Sequence, residues 1–406
     1  MTTAGISLGL LAACMLLAAC GYAVDASPSQ MTAACVPPAH WVVPQAAEPK
    51  VQPAEQILAR FAEAQVVLLG ETHDNAEHHR WELSTIAGLY ALHPRMVLGF
   101  EMFPRRVQPA LDEWVAGRTS EAEFLAKSDW ERVWGYEASL YLPIFNFARL
   151  HRVPMVALNV ERRLVTRVGN EGWPAIPEPD REGVSDPAPA SREYLQSLYP
   201  TFLAHHTPGS HPSPPTRAPT EAQLADPAFS RFVEGMLVWD HAMAQGIAQR
   251  LHGSNPPLVV AIMGSGHVRH GYGVPHQLRD LGIRRVAVAL PWDPGTPCDD
   301  LTPGLADAVY GLPPRPAVAQ EERPRLGISI ERVAADVVVR EVAQGSVAER
   351  AGLLTGDVIV EVAGAPVHDT NDVIAAVRRQ APGTWLPILV KRGDGTLELV
   401  ARFPVR

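Results

Sequence analysis

Cysteine and basic residues are scarce in this 406-residue chain, which has four cysteines and 35 Lys and Arg against 44 Asp and Glu. The formal net charge of −9 and the lack of a Lys/Arg-rich stripe argue against broad nucleic-acid binding. Charged residues make up 19% and hydrophobic residues 47%, the balance of a soluble globular protein with substantial cores. A chain of this length should hold two domains rather than one.

The apolar segment Ile6–Cys20 is too short to span a bilayer as a stable helix and is typical of a signal peptide. It ends in Leu17-Ala18-Ala19-Cys20-Gly21, which resembles the bacterial lipobox. The resemblance implies that Cys20 is acylated and becomes the first residue of the mature chain. An ordinary cleaved signal is the alternative, and Met1–Leu10 lacks the usual Lys or Arg. No Asp follows Cys20, so we expect an outer-membrane anchor and a domain that faces the periplasm.

The other two cysteines, Cys35 and Cys298, flank the part of the chain that is predicted to be an α/β domain. In an oxidising compartment they could form a disulfide that joins the two ends of that domain. Two unpaired thiols explain the sequence equally well.

Short apolar runs alternate with amphipathic segments through the first three hundred residues, as buried strands alternate with helices. The predicted strands are Val66–Gly70, Met96–Met102, Val153–Val160, Leu258–Met263 and Arg284–Leu290. Alternation of this kind predicts an α/β fold, with a mostly parallel sheet that carries helices on both faces.

Pro-rich and Gly-rich stretches set the expected boundaries. We predict a lipoprotein signal peptide (1–20), a tether (21–52), an α/β domain (53–295), a Pro-rich linker (296–322) and a small β-rich domain (323–406). Residues 169–219 break the strand–helix alternation and contain one predicted helix, Ser191–His206. We interpret them as an excursion from the α/β core that serves as a lid or an oligomerisation arm.

Acid, histidine and amide side chains lie at or just beyond the carboxyl ends of four of the predicted strands. They are Glu71 and His73, Glu101, Asn159 and His267. Open α/β sheets bind their ligands at the carboxyl ends of the strands. A lone His or Glu at a strand end is usually structural, but the shared position favours a site. Glu71, His73, Glu101 and His267 could bind a divalent metal, or act as general acid and base without one.

The segment that begins at Arg325-Leu326-Gly327-Ile328 resembles a PDZ domain of the bacterial, protease-associated type. The resemblance rests on the S-x-A-x-x-A-G-L helix and the L-x-x-G-D-x-I segment over about eighty residues. It implies that extended peptides or protein C-termini bind by strand addition. The predicted groove residues are Leu326, Gly327 and Ile328 in the carboxylate loop, with Ile374 and Val377 on a helix over Asn371–Gln380. A domain that docks only onto its own chain is the alternative.

The first domain resembles the ChaN-type haem-binding uptake lipoproteins of the Tiki/TraB/erythromycin-esterase superfamily. The motifs, in order, are GETHDNAEHH, FEMF, WGYEASLYLPIF, VPMVALNVERR, VWDHAMA and GSGH, between Gln56 and Trp292. The superfamily mark is a pair of G-x-x-H motifs, here Gly70–His73 and Gly264–His267, with Glu101 on the second strand. The resemblance implies haem binding at a homodimer interface and a part in iron acquisition.

Three interpretations follow from the resemblance. In the first, which we favour, the chain binds haem: Tyr136 or Tyr141 ligates the ferric iron, and His79 and Arg80 contact the propionates. The aromatic segment around these tyrosines is also typical of a core. In the second, Glu71, His73, Glu101 and His267 form a metallohydrolase centre. In the third, the site at the strand ends is inert and the function of the chain resides in the PDZ domain. Covalent c-type haem is excluded because the chain has no C-x-x-C-H motif.

Overall fold

The computed structural model describes residues 35–45, 49–206, 218–314, 325–334 and 336–405. The chain forms two compact units, residues 1–314 and 315–406. Cys20 and the predicted signal peptide lie outside the described residues. Among the helices that are described, none has the length and apolar character needed to cross a membrane.

The first unit is built on an eight-stranded sheet. Its strands are β1 Trp41–Val43, β2 Lys50–Gln52, β3 Val66–Glu71, β4 Met96–Pro104, β5 Met155–Asn159, β6 Leu258–Gly264, β7 Val286–Trp292 and β8 Ala308–Gly311. They lie in the order β2-β1-β8-β7-β3-β6-β4-β5. The six strands from β3 to β8 are mutually parallel, and β1 and β2 close one edge in the antiparallel sense. The predicted α/β fold is confirmed.

Helices cover both faces of this sheet. They are α1 Ala54–Ala62, α2 Ala76–Leu92, α3 Gln108–Val115, α4 Glu121–Lys127, α5 Trp130–Val133, α6 Ala138–His151, α7 Arg162–Glu171, α8 Arg192–His206, α9 Glu221–Leu224, α10 Pro227–Ala248 and α11 Val274–Asp280. Helices α1, α2, α3 and α6 pack on one face, and α10 and α11 on the other. Strand β3 is buried throughout because its side chains alternate: Val67 and Leu69 enter the first core and Val66 and Leu68 the second.

Three strands fall in stretches that we predicted to be irregular. Strands β1 and β2 lie in the predicted tether, and β8 lies in the predicted linker 296–322. They contain three or four residues, against five to eight in the predicted strands, and show no readable alternation, so hydrophobic patterning did not reveal them. The first unit therefore runs to residue 314 rather than to 295.

The described part of residues 169–219 packs against the long helix α10. Around α7 a small apolar cluster joins Trp173 and Val184 to Val238, and a second cluster joins α8 to the amino-terminal half of α10. This segment breaks the strand–helix alternation because its apolar side chains are buried against a helix instead of the sheet. It forms an additional helical layer of the first unit.

A disulfide joins Cys35 to Cys298, with 5.7 Å between the two Cα atoms. Cys35 precedes β1, and Cys298 follows β7. Of the two interpretations that the sequence left open, the structure shows the bonded one. The disulfide fastens the antiparallel edge of the sheet to the end of a central parallel strand.

The second unit is a small antiparallel sheet with two helices. Its elements are β9 Ile328–Val333, β10 Asp336–Val342, α12 Val347–Ala351, β11 Val358–Val362, β12 Ala365–Pro366, α13 Thr370–Arg378, β13 Trp385–Arg392 and β14 Gly395–Arg402. The strand order is β14-β13-β11-β10-β9, and β12 pairs with β11. Strand β9 is an edge strand beside α13, and Leu326, Val377 and Ile388 belong to the core.

Candidate functional site

The carboxyl ends of four adjacent parallel strands bring the predicted residues to one edge of the first unit. Glu71 ends β3 and lies opposite Gly264 of β6 in the strand register. Glu101 lies on β4 and Asn159 ends β5. Asn159 Nδ2 donates a hydrogen bond of 2.9 Å to the Glu101 carbonyl oxygen. Asn159 therefore orients the strand that carries Glu101.

His267 lies between two buried carboxylates. Its Nδ1 is 2.6 Å from Asp240 Oδ1, and its Nε2 is 3.4 Å from Glu101 Oε1. Burial lowers the pKa of His267, but the charges of Glu101 and Asp240 outweigh burial and raise it to about 10. Burial likewise raises the pKa of Glu101, and the charge of His267 reverses that effect and lowers it. The ring is therefore an imidazolium at neutral pH.

The partner carboxylate Asp240 is held from a second side. Tyr194 Oη on α8 donates a 2.5 Å hydrogen bond to Asp240 Oδ2. Glu101 Oε2 accepts a 2.6 Å hydrogen bond from the backbone N–H of Gly264. Both carboxylates thus use one oxygen for His267 and the other for a neutral donor, as buried charges require.

His73 forms a second acid–imidazole pair. Its Nδ1 is 2.5 Å from Glu71 Oε1, and that oxygen also accepts a 3.2 Å hydrogen bond from the Tyr141 hydroxyl. Burial lowers the pKa of His73, but the hydrogen bond to Glu71 and the charge of Glu101 outweigh burial and raise it.

The glycine of the second G-x-x-H motif makes room for the histidine of the first. A Cβ atom on Gly264 would lie 3.0 Å from His73 Cε1 and 3.4 Å from its Nε2. Those distances are tighter than ordinary van der Waals contact. The two motifs therefore meet directly, across the β3–β6 pair.

The four candidate metal ligands engage one another in pairs. Glu71 binds His73, and Glu101 binds His267. Both ring nitrogens of His267 face carboxylates, Nδ1 that of Asp240 and Nε2 that of Glu101. Across the described ranges, no group of three or more His, Cys, Asp and Glu is arranged to hold a metal ion. The geometry supplies no preformed site for the divalent metal that the second interpretation requires.

An open cavity of about 790 Å³ lies directly over these pairs. His73 and Glu101 belong to its lining, with aromatic walls and several arginines around them. These other lining residues include Trp134, Tyr136, Trp239, Arg106, Arg132, Arg162 and Arg163. The volume lies within the roughly 300–1,000 Å³ that is usual for cofactor sites. The cavity combines flat apolar walls with a cationic rim.

Tyr136 is the predicted haem ligand that the structure places in the cavity. Its side chain is 38% exposed, and its ring makes an edge contact with that of His73 at 5.3 Å between centroids. Partial burial raises the pKa of Tyr136, and the nearby carboxylates of Asp74, Glu71 and Glu101 add to that increase. The side chain is thus a neutral phenol that reaches solvent through the cavity.

The other three predicted haem contacts lie elsewhere. Tyr141 is fully buried, and burial raises its pKa far above the ordinary value. His79 is buried, with Nδ1 3.0 Å from Glu82 Oε2 and Nε2 3.1 Å from the His73 carbonyl oxygen. Arg80 pairs with Glu77 on a different surface. None of Tyr141, His79 and Arg80 lines the cavity, so the structure does not bring these three predicted haem contacts together with Tyr136.

Several residues of the site were not identified from the sequence. Asp240 and Tyr194 are 27 and 46 residues from the side chains that they contact. The neighbouring His241 drew attention in the VWDHAMA motif, but it bonds Ser185 and Gln277 in the interior. The available signal was the acid Asp240 after the apolar run Met236–Trp239, since an acid that is buried with such a run requires a partner.

The second unit contains a candidate peptide groove between β9 and α13. Gly327 has φ +81°, and a Cβ atom there would lie 2.4 Å from Ser346 Cβ, so this position requires glycine. The carbonyl oxygens of Leu326 and Gly327 accept hydrogen bonds of 2.9 Å from Ala348 and Ala343. Leu326 and Val377 are buried beneath the groove, and Ile374 is 38% exposed.

Comparisons with known proteins cover both units. Residues 57–278 match the family model for haem-binding uptake, Tiki superfamily, ChaN, and residues 324–401 match that for the PDZ domain. A solved structure described as cofacial heme binding to ChaN of Campylobacter jejuni is 18% identical. It covers 66% of this chain and 95% of its own, with a TM-score of 0.50, which is a likeness of fold.

The curated relatives are serine proteases. "Serine protease HTR4" of Rattus norvegicus is 49% identical over 67 residues, and that of Bos taurus is 48% identical over 67 residues. Each match covers 16% of this chain and 13% of the relative. The chain therefore spans a small part of the curated relatives that it matches.

The charge balance around His267 predicts the effect of Asp240→Asn. Removing one partner of a buried ion pair should lower the free energy of unfolding by about 3–5 kcal/mol. A raised histidine pKa contributes stability that is fully present below the ordinary value of 6.5 and is lost as pH rises toward about 10. The wild-type chain should therefore lose stability across that range, and Asp240→Asn should lose less. Denaturant unfolding followed by tryptophan fluorescence measures both.

Asp299→Asn is the matched control, because it removes the same charge from an exposed carboxylate of the same unit. We expect it to leave the unfolding free energy within about 0.5 kcal/mol of the wild type. An NMR titration in which the His267 ring loses its proton near pH 6.5 would contradict the proposed charge state.

Proposed function

The chain belongs to the ChaN family of haem-binding uptake proteins in the Tiki superfamily, and we propose that its first unit binds haem in the cavity at the strand ends. The observation that carries the proposal is the accessible phenol of Tyr136 in an aromatic, arginine-rimmed cavity of about 790 Å³. A planar macrocycle with one oxygen ligand and two anionic substituents matches that set of groups.

Tyr136 is the proposed iron ligand. Ferric haem, when bound, supplies a Lewis-acidic iron that favours the phenolate over the phenol. The rings of His73 and Trp134 pack against the Tyr136 ring, with centroids 5.3 and 5.4 Å from its own. These contacts limit the positions of the Tyr136 ring and leave its hydroxyl free for a ligand.

Arginines at the rim are the proposed partners of the propionates. Arg106 and Arg132 both pair with Asp129, and Arg106 also pairs with Glu161. Arg162 and Arg163 are exposed, and neither forms an ion pair with a described carboxylate. Guanidinium groups without carboxylate partners suit bidentate carboxylate binding, so Arg162 and Arg163 are the stronger candidates.

A second copy of the chain is the proposed cover of the bound haem. The cavity is open, and Tyr136 remains 38% exposed, so one face of a haem held there would meet water. The Campylobacter jejuni relative is described as binding haem cofacially. We therefore propose that haem promotes a homodimer of this chain and that its role is haem or iron uptake.

Tyr136→Phe should weaken hemin binding roughly tenfold or more, because it removes the iron ligand but keeps the aromatic wall. Hemin titration followed through the Soret band measures the affinity. Tyr90→Phe is the matched control, since Tyr90 packs on Phe147 and His151 and does not line the cavity. Light scattering of the loaded protein tests the dimer.

Two results would count against the haem site as proposed. Equal hemin affinity of Tyr136→Phe and Tyr90→Phe would remove Tyr136 as the ligand. No saturable Soret change with the wild-type chain would remove haem binding itself.

A lipid anchor at Cys20 and an outer-membrane location that faces the periplasm complete the proposal, on the strength of the lipobox-like sequence. A cell that makes Cys20→Ala should move the protein from the membrane to the soluble fraction and lose its labelling by radioactive fatty acid. Cys14→Ala in the same segment is the control and should behave as the wild type. Persistent labelling of Cys20→Ala would show that acylation occurs elsewhere.

For the second unit we propose recognition of a free peptide C-terminus by the β9–α13 groove. Peptides selected from a C-terminal library should lose affinity at least about tenfold when their terminal carboxylate is amidated, because the backbone N–H groups of the loop bind an anion. Ile374→Asp should weaken binding similarly, and exposed Leu397→Ser is the control. Equal binding of free and amidated peptides would contradict carboxylate recognition.

A further inference from the structure

One surface of the first unit combines exposed leucines with arginines, at the end of the sheet opposite the cavity. Helices α2 and α6 end at Leu92 and His151, just before β4 and β5 begin. Because the strands are parallel, this surface lies at their amino ends, whereas Glu101 and Asn159 lie at the carboxyl ends. We call it the leucine–arginine surface, and it consists of Leu92, Leu150, Arg95, Arg118, Arg149 and Arg152.

The two leucines are unusually exposed for large apolar residues. Leu150 is 79% exposed and Leu92 54% exposed. The helix ends that carry them are in contact, since the rings of Tyr90 and His151 lie 4.9 Å apart. Leu150 also borders an open groove of about 660 Å³ whose apolar lining includes Leu83 and Phe147. The surface thus offers two exposed leucine side chains and, beside Leu150, an apolar groove that reaches Gly117 in the α3–α4 connection.

Two of the four arginines line the same groove, and the other two lie beside it in the sequence or across the strand pair. Arg149 and Arg152 line the groove, and Arg149 donates to the carbonyl oxygens of Thr119 and Gly117, next to Arg118. Arg95 precedes β4 as Arg152 precedes β5, three residues before the paired positions Leu98 and Met155. Positive charge is therefore concentrated on this surface, although the chain as a whole has a formal net charge of −9.

The nearby acids bond to other side chains, although the charge of Arg118, after Lys127, contributes to lowering the pKa of Glu113. Glu113 is bonded to Lys127, and Asp112 accepts from Gln108. Within the described ranges, none of Arg95, Arg118, Arg149 and Arg152 forms an ion pair with a carboxylate. Arg149 is half-buried and engaged with the Thr119 carbonyl oxygen and the Trp114 ring, so the guanidinium groups available to an external anion are those of the exposed Arg95, Arg118 and Arg152.

We propose that the leucine–arginine surface docks on an anionic phospholipid bilayer. The positive charge of this surface is complementary to lipid phosphates. An anionic membrane attracts basic side chains that lie within about a Debye length of it. Leucines beside such cations insert at the headgroup boundary, and an apolar groove accommodates acyl carbon atoms. A nucleic acid would use the cations but would leave the leucines in water.

Docking in this way orients the first unit. The amino ends of the parallel strands face the lipid, so the cavity at the carboxyl ends faces the aqueous side. The proposal does not depend on haem binding or on acylation of Cys20, because it rests on the folded surface alone.

Vesicle sedimentation tests the proposal with a chain that lacks residues 1–20, a deletion that removes none of the described residues. The probes are vesicles of phosphatidylcholine alone and of phosphatidylcholine with phosphatidylglycerol. We expect binding to the anionic vesicles, with affinity that falls about fivefold for each arginine removed. Leu150→Ser with Arg152→Gln should therefore reduce binding more than fivefold, and high salt should reduce it further.

Leu397→Ser with Arg378→Gln is the matched control, because it makes the same chemical changes at exposed positions of the second unit. It should bind vesicles as the parent does. Failure of the parent to bind anionic vesicles, or equal loss in the two variants, would overturn the proposal. So would a dimer in solution that Leu150→Ser with Arg152→Gln dissociates, since a second copy would then be the occupant. Denaturant unfolding followed by tryptophan fluorescence shows that each variant is folded.

Discussion

A buried imidazolium between two carboxylates is the interaction on which the first unit depends. His267 follows β6, Glu101 belongs to β4 and Asp240 belongs to α10. The His267 imidazolium therefore joins β4 and β6 to α10, one of the helices that cover the second face of the sheet. Charges without solvent are tolerated only when paired and hydrogen-bonded, so the three side chains must be in place together. Helix α8 must also be in place, because the Tyr194 hydroxyl on α8 donates a hydrogen bond to the second oxygen of Asp240.

The same ion sets the character of the cavity floor. His267 and Asp240 leave the second oxygen of Glu101 to the backbone of Gly264, and Gly264 in turn lies against the ring of His73. The floor is thus assembled from internal contacts, and its acids and histidines already have partners. The side chains that can contact a ligand are therefore those of the walls and the rim, namely Tyr136, Trp134 and the arginines that line the cavity.

Hydrophobic alternation was sufficient to predict five strands, their parallel order along the chain and the convergence of Glu71, His73, Glu101 and His267. It could not predict β1, β2 and β8, which are too short to show a period. Nor could it choose between Tyr136 and Tyr141. They lie five residues apart in one aromatic stretch, and only the start of α6 at Ala138 turns one into the core and leaves the other in the cavity. Asp240 and Tyr194 depend on how a helical layer packs, which no local pattern encodes.

The pairing within the floor also shows how the two G-x-x-H motifs are used in this chain. A paired G-x-x-H motif with an adjacent glutamate places two imidazoles and two acids together, and a metal could use all four if they were free. In this chain Asp240 supplies an additional negative charge that keeps His267 protonated, with a pKa raised to about 10. A protonated imidazole neutralises acids and does not coordinate cations. Asp240 lies outside both motifs, and through its contact with His267 it links the paired motifs to α10.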